Sequence, residues 1–261
     1  AVAILGAITS SFMRPTPQGD TSIRVDLDPI RPTLQTFRVT RSNRPVFLSI
    51  LGISWFWFFG ASLLTLLPTY GKDVLRGNEY VVTLLLGLFC VGIALGSLLC
   101  ERMSRRPLEL GLVPLGSLGI SLFAADLFFA TPPAIAVEGA QLSIGQLLAE
   151  PRMWRIVADY TLISVFSGFY TVPLYTMLQQ RSEPGIRSRV IAANNILNAA
   201  FMVVSAGMLI GLSSAGVDIF TTFLILAVLN AAVSVYIYTL LPEFLLRFVV
   251  LALARVMYRV E

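Results

Sequence analysis

Long apolar runs separated by short polar segments form most of the chain. In lipid a helix needs about 20 apolar residues to cross the hydrocarbon, and it satisfies its own backbone hydrogen bonds. The pattern therefore predicts an up-and-down bundle of transmembrane helices joined mainly by short loops. The six predicted spans cover residues 46–69, 79–99, 108–130, 153–178, 189–212 and 217–240.

The remaining segments differ from these spans. Residues 1–12 are apolar but too short to span, and no initiator Met or basic leader precedes them, so we expect the end of a truncated transmembrane helix and hence a fragment. Residues 13–45 are polar, rich in Pro and Arg and without periodicity, which predicts a linker. A short interfacial helix is expected at 143–150. Residues 241–261 place their charges on one helical arc, as in an amphipathic tail that leads to a missing domain.

Composition supports this architecture, because hydrophobic residues make up 56% of the chain and charged residues only 13%. Soluble domains carry about 25% charged residues, so most of this surface must face lipid. Fifteen of the 19 Lys and Arg residues fall in alternate polar segments, including the linker and the tail. The positive-inside rule places those segments in the cytoplasm and accounts for the basic charge without a nucleic-acid partner.

Missing residue types exclude several kinds of chemistry. The chain has no histidine, which excludes a Ser-His-Asp triad and imidazole-bound metals. Cys90 and Cys100 lie ten residues apart, a spacing typical of neither a metal knuckle nor a redox motif. The phosphate-binding sequence of ATP-driven pumps is absent. We therefore expect no metal, no cofactor and no catalysis within this chain.

The polar segment between the second and third spans carries the most specific motif. It resembles the G-x-L-x-D-R-x-G-R-R loop of the major facilitator superfamily, with serines in place of both glycines and glutamate in place of aspartate. The resemblance implies a conformational latch, in which the acid and the arginines join neighbouring helices in one state. The alternative is that the arginines only anchor a cytoplasmic loop. The matching residues are Ser97, Glu101, Arg102, Ser104, Arg105 and Arg106.

The layout of the whole chain resembles the same superfamily. A charged linker before six spans is similar to its C-terminal half, helices seven to twelve, which implies a missing N-terminal six-helix half as a partner. Residues 96–123, 187–203 and 241–260 resemble the lysophospholipid transporter branch that is fused to acyltransferase and acyl-acyl-carrier-protein synthetase domains. This resemblance implies a flippase that moves lysophosphatidylethanolamine inward across a bacterial inner membrane for re-acylation by a fused or associated acyltransferase.

Two acids inside the spans are candidate substrate residues, since a carboxylate in hydrocarbon is costly and usually faces a cavity or a partner. Asp126 and Asp159 are expected at similar depth near the outer side, where they could receive an ammonium group or exchange a proton. They could equally be solvated at the headgroup level. Arg155 precedes Asp159 by one helical turn and could pair with it, whereas Asp126 lacks such a local partner and is the better functional candidate.

The fifth span opens with further polar residues. Asn194 and Asn198 share one helix face, with Asn195 beside them and Arg189 at the predicted cytoplasmic mouth. The amides could join helices or line a path for a glycerophosphate headgroup, and the arginine could bind phosphate or anchor the loop.

Other patterns favour packing roles. The GxxxG pairs Gly92–Gly96 and Gly207–Gly211 predict close helix approach rather than a ligand site. The aromatic stretch around Trp55 and Trp57 is expected to be packed or to face lipid.

Three other functions fit the sequence. The chain could belong to an exporter of hydrophobic drugs or metabolites, since such proteins have similarly apolar spans. It could be the membrane part of a phospholipid acyltransferase. The His-x-x-x-x-Asp motif of those enzymes requires a histidine, so catalysis would then need a domain beyond Glu261. A membrane scaffold without transport activity is the third possibility.

Overall fold

The computed structural model describes residues 2–12, 40–41, 43–103, 111–130, 141–240 and 250. In this part of the chain every regular element is helical, and six helices are long and apolar enough to span a membrane. The expected all-α membrane fold is confirmed. The linker residues 13–39 and nearly all of the tail lie outside the described residues. The helices are α1 Val2–Ser11, α2 Arg44–Thr69, α3 Glu79–Met103, α4 Leu112–Ala130, α5 Ile144–Ala149, α6 Pro151–Arg181, α7 Arg187–Ser214 and α8 Ile219–Leu240.

Helix α6 is the hub of the bundle. The chain divides into two compact units, of which the first contains α1 and the second contains α2–α8. In the second unit α6 packs against α3 and α4 along most of its length and also against α2. Helix α8 packs on α4, and α7 packs on α2. Because successive spans alternate in direction, α2 and α7 run parallel to each other.

Glycines let the α3 and α6 backbones come into direct contact. A Cβ atom on Gly92 would lie 2.5 Å from the Ser164 side chain, and one on Gly96 would overlap the Val165 carbonyl group. From the opposite helix, a Cβ on Gly168 would lie 2.6 Å from the Ser97 nitrogen. The close approach predicted for Gly92–Gly96 is confirmed. At Gly207 and Gly211 no described residue lies within 4 Å of an added Cβ, so the described helices make no such approach there.

A buried amide joins α2, α4 and α8. Asn230 of α8 accepts a hydrogen bond from Trp55 Nε1 at 2.8 Å, and it donates to the Ser117 carbonyl and the Ser121 hydroxyl of α4, both at 2.9 Å. Ser117 also bonds Ser234 of α8. Trp55 is therefore a packed residue whose indole N–H is satisfied by a neighbouring helix.

Short connecting segments contact each other at one end of the bundle. Helix α2 ends in a π-helical turn, Tyr70–Val74. In the loop that follows, Gly77 forms a single β-bridge with Leu142. The predicted short helix is confirmed as α5, which begins after a capping box made by Ser143 and Gln146. These contacts tie the α2–α3 loop to the segment that leads into α6.

Replacing Gly96 by alanine is expected to lower stability by about 1–3 kcal/mol, because the new methyl group would force α3 away from the α6 backbone. Thermal unfolding of the purified protein in detergent measures this loss. The matched control is Gly87→Ala, since Gly87 lies on the same helix with nothing within 4 Å of an added Cβ. Equal stability of the two variants would contradict the backbone contact.

Candidate functional site

The first candidate site is an ion pair between α4 and α6. The Arg155 guanidinium donates Nε to Asp126 Oδ2 at 3.0 Å and a second nitrogen to Oδ1 at 2.5 Å. The sequence allowed Arg155 to pair with Asp159 on its own helix and offered Asp126 no local partner, but the structure pairs Arg155 with Asp126. The reason is packing: Arg155 and Asp126 are partly exposed side chains of adjacent helices, whereas Asp159 is buried.

The second carboxyl group lies behind this ion pair. Asp159 is only 3% exposed, and its Oδ2 atom has no hydrogen-bond partner among the described residues. It interacts with both the Asp126 carboxyl and the Arg155 guanidinium. The two acids predicted at similar depth are therefore neighbours, and together with Arg155 they form what we call the α4–α6 charge cluster.

The charge cluster opens on the outward face of α4. Leu122 and Phe129 lie on the same face of that helix as Asp126, one turn before and after it, and both are 64% exposed. Trp154, beside Arg155 on α6, is also exposed and donates its indole N–H to the Leu148 carbonyl of α5. Charged groups are thus bordered by exposed apolar and aromatic side chains.

The second candidate site is a polar contact between α2 and α7. Asn198 is buried, and its side chain lies 2.9 Å from the Ser54 hydroxyl. About two turns further along both helices, Ser62 bonds Ser205 at 2.7 Å. With the Asn198 amide oriented to satisfy both its atoms, its oxygen accepts from Asn194 Nδ2 and from Trp57 Nε1, while its nitrogen donates to Ser54 Oγ. Asn194 and Asn198 therefore join α2 to α7.

This contact continues to the surface of the bundle. Asn195 is exposed and accepts from Asn194 Nδ2 at 3.4 Å. At the other end, the Trp57 indole nitrogen lies 3.1 Å from the Tyr175 hydroxyl oxygen of α6, so its single N–H is shared between that oxygen and the Asn198 amide oxygen at 3.2 Å. The result is a hydrogen-bonded strip, Asn195–Asn194–Asn198–Trp57–Tyr175, that crosses α7, α2 and α6.

Sequence reasoning missed two members of this strip. Trp57 was expected to be packed or to face lipid, and Tyr175 gave no separate signal. The spacing of Ser54 and Trp57, three residues apart on one face of α2, was the available signal, because a polar stripe on a helix indicates a polar neighbour.

The remaining predicted residues lie at the ends of helices. Arg189 is exposed in the first turn of α7. Glu101 and Arg102 are exposed at the end of α3, and the Ser97 hydroxyl bonds the Ile93 carbonyl of its own helix at 2.8 Å. Ser104, Arg105 and Arg106 lie outside the described residues.

The two candidate sites lie toward opposite ends of the bundle. Asp126 lies four residues before the end of α4, and Arg155 and Asp159 lie in the first turns of α6. Asn194 and Asn195 lie in the first three turns of α7. The end of α4 and the start of α6 are on one side of the membrane, and the start of α7 is on the other. The structure therefore does not bring the acids and the asparagines together.

Replacing Asn198 by alanine is expected to destabilise the protein by about 0.6–2 kcal/mol, the usual range for hydrogen bonds between membrane helices. Denaturant unfolding in detergent measures the change. Asn195→Ala is the matched control because Asn195 is exposed on the same helix, and its stability should stay within about 0.5 kcal/mol of the parent. A stable Asn198→Ala protein would contradict the joining role.

A double-mutant cycle tests the corrected ion pair. Asp126→Asn and Arg155→Gln, singly and together, are expected to show a coupling of about 0.2–1 kcal/mol, as for other partly exposed pairs. The same cycle with Asp159→Asn in place of Asp126→Asn is expected to give a smaller coupling, since no described hydrogen bond joins Arg155 to Asp159. A larger coupling of Arg155 with Asp159 than with Asp126 would contradict the ion pair seen in the structure.

Comparison with known proteins assigns the family. The family model of the Major Facilitator Superfamily matches residues 1–206, which is well over half of the chain. No curated protein and no solved structure matches the chain. The family match agrees with the six helices that are long and apolar enough to span a membrane. This multi-pass membrane protein therefore belongs to the Major Facilitator Superfamily of transporters.

Proposed function

We propose that the protein is a lysophospholipid transporter that moves lysophosphatidylethanolamine inward across a bacterial inner membrane. Membership of the Major Facilitator Superfamily supports transport as the activity. The resemblance of residues 96–123 and 187–203 to the lysophospholipid branch supports the substrate. The distribution of Lys and Arg supports a cytoplasmic linker and tail.

The observation that carries the proposal is the exposed surface of α7, which changes character along the helix. Near its start, the exposed polar residues Arg187, Ser188, Arg189 and Asn195 lie within the first three turns. From 199 to 211 the exposed residues are apolar, with Val203 71% and Ile210 68% exposed, and the exposed Ser213 and Ser214 follow at the far end of the helix. A lysophospholipid has a polar headgroup at one end and a single acyl chain, so it matches both parts of this surface.

The dimensions of this surface also suit one acyl chain. Asn195 and Ile210 are fifteen residues apart, about 22 Å at ~1.5 Å per residue. The hydrocarbon core of a bilayer is ~30 Å thick and holds two chains end to end, so one chain extends over about 15 Å. A chain laid along α7 from Asn195 would therefore stay on apolar surface for its whole length.

The polar strip would supply neutral hydrogen-bonding groups to the headgroup. Asn195 offers an amide, Tyr175 a hydroxyl group, and Arg189 a guanidinium suited to phosphate. We infer that a six-helix N-terminal half completes the cavity, because substrate sites in this fold lie between two repeats. Re-acylation would take place on a fused or associated acyltransferase and not on this chain.

Uptake of labelled lysophosphatidylethanolamine tests the proposal. The complete reading frame is expressed in spheroplasts of a bacterium that lacks its own lysolipid carrier, and conversion of the external lipid to diacyl lipid is timed. We expect rapid conversion, and a loss on the order of tenfold, about 1.4 kcal/mol, in Asn195→Leu because the headgroup loses a polar contact. Thr83→Val, which replaces an exposed hydroxyl on α3 that bonds only its own helix among the described residues, is the matched control.

Two results would overturn the proposal. No conversion by the inserted parent protein, with an active acyltransferase supplied, would exclude lysolipid transport and favour export of hydrophobic compounds. Equal losses in Asn195→Leu and Thr83→Val would remove the role of the α7 surface. The amount of each variant in the membrane is measured in parallel, so that flux is expressed per inserted protein.

A further inference from the structure

We propose that the α4–α6 charge cluster binds a resident membrane phospholipid whose headgroup carries both a phosphate and a primary amine. This site is separate from the α7 surface and lies at the opposite end of the bundle. The proposal does not depend on lysolipid transport, since the bound lipid stays in its leaflet and contacts the outside of α4.

The Arg155 guanidinium supplies the phosphate-binding part. It is 52% exposed, and its pairing with Asp126 uses only two of its five N–H donors. Among the described residues nothing bonds the other three N–H donors, so they are available to an anionic oxygen of a ligand. Guanidinium and phosphate form charge-assisted hydrogen bonds that are stronger than those between neutral groups.

The two carboxyl groups supply the amine-binding part. Arg155 bonds Asp126, and Asp159 lies beside that carboxyl group, so the cluster holds two acids and one base. Asp159 Oδ2 is buried and has no partner among the described residues. An unsatisfied buried acceptor costs free energy that a new donor would recover. A primary ammonium group brings three N–H donors and the positive charge that the second carboxyl group lacks.

Binding would proceed from the exposed carboxyl group inward. The ammonium group meets Asp126 first, because that side chain is 34% exposed while Asp159 is covered. Asp159 lies next to the Asp126 carboxyl group, so an ammonium group held at Asp126 is placed to donate a hydrogen to Asp159 Oδ2. Both carboxyl groups then have donors, and Arg155 bridges the protein and the phosphate.

The surroundings of the cluster indicate a lipid rather than a soluble phosphate compound. Asp126 lies about 6 Å from the end of α4, at ~1.5 Å per residue, within a span of apolar composition. Leu122, Phe129 and Trp154 are exposed beside it and offer an apolar surface to acyl chains. Tryptophan near the end of a span is typical of the membrane interface, where headgroups lie.

The geometry also predicts which headgroup is preferred. Phosphatidylethanolamine carries the phosphate and three N–H donors. A trimethylated choline headgroup has the charge but no N–H to donate to Asp159 Oδ2. A glycerol headgroup has no cation to balance the second carboxyl group. We therefore expect the order ethanolamine, then choline, then glycerol.

Lipid-dependent stabilisation of the purified full-length protein tests this site without any transport. Thermal unfolding is measured in one detergent with phosphatidylethanolamine, phosphatidylcholine or phosphatidylglycerol of the same acyl chains, and apparent affinities are taken from the shifts. We expect phosphatidylethanolamine to bind about tenfold more tightly than phosphatidylglycerol, about 1.4 kcal/mol. Soluble glycerophosphoethanolamine, which lacks acyl chains, should not stabilise the protein at the same concentration.

Variants then assign the effect to the cluster. Asp126→Asn and Arg155→Gln, both at partly exposed positions, are each expected to reduce the lipid preference to less than about twofold, or ~0.4 kcal/mol. Asp159→Asn should do the same, and the exposed variants keep the test valid if this buried one fails to fold. Glu79→Gln is the matched control, because this exposed acid lies at the same end of the bundle on α3 and should keep the preference.

Two outcomes would overturn the proposal. Equal stabilisation by the three lipids would show that the headgroup is not recognised. A preference that survives Asp126→Asn and Arg155→Gln would place recognition elsewhere. Neither outcome depends on whether lysophosphatidylethanolamine is transported, so this proposal and the transport proposal can fail separately.

Discussion

The close backbone approach of α6 to α3 is the interaction on which the rest of the bundle depends. In lipid the hydrophobic effect does not drive helices together, so association relies on van der Waals contact and a few hydrogen bonds. Gly92, Gly96 and Gly168 remove the side chains that would separate the two helices. Helices α4 and α2 also pack against α6, and α8 in turn packs on α4 and α7 on α2.

Hydrogen bonds between spans provide the second kind of contact. Asn230 joins α8 to α4 and α2, and Asn198 joins α7 to α2. Each bond contributes modestly, about 0.6–2 kcal/mol, but it also specifies which helix faces meet, because a misplaced amide would remain unsatisfied in hydrocarbon. Polar residues of the spans are thus divided between those that join helices and those that stay exposed.

The exposed polar groups fall on two surfaces with different chemistry. The strip that ends at Asn195 offers neutral amide, indole and hydroxyl groups, and it continues into an apolar helix surface. The cluster of Asp126, Arg155 and Asp159 is ionic and opens between exposed apolar side chains. The first surface is therefore neutral and the second ionic, with one buried carboxyl group, Asp159, behind a partly exposed ion pair.

The sequence by itself determined the number of spans, their approximate limits and the short helix α5, because apolar run length, capping residues and turns are local properties. It also indicated which residues are too polar for lipid. Their partners were decided by tertiary structure alone. By spacing, Arg155 could pair along its own helix with Asp159, but it reaches across to Asp126, and Trp57 is part of a hydrogen-bonded strip. Side-chain pairing depends on which helix faces meet, and that is set by packing between residues distant in sequence.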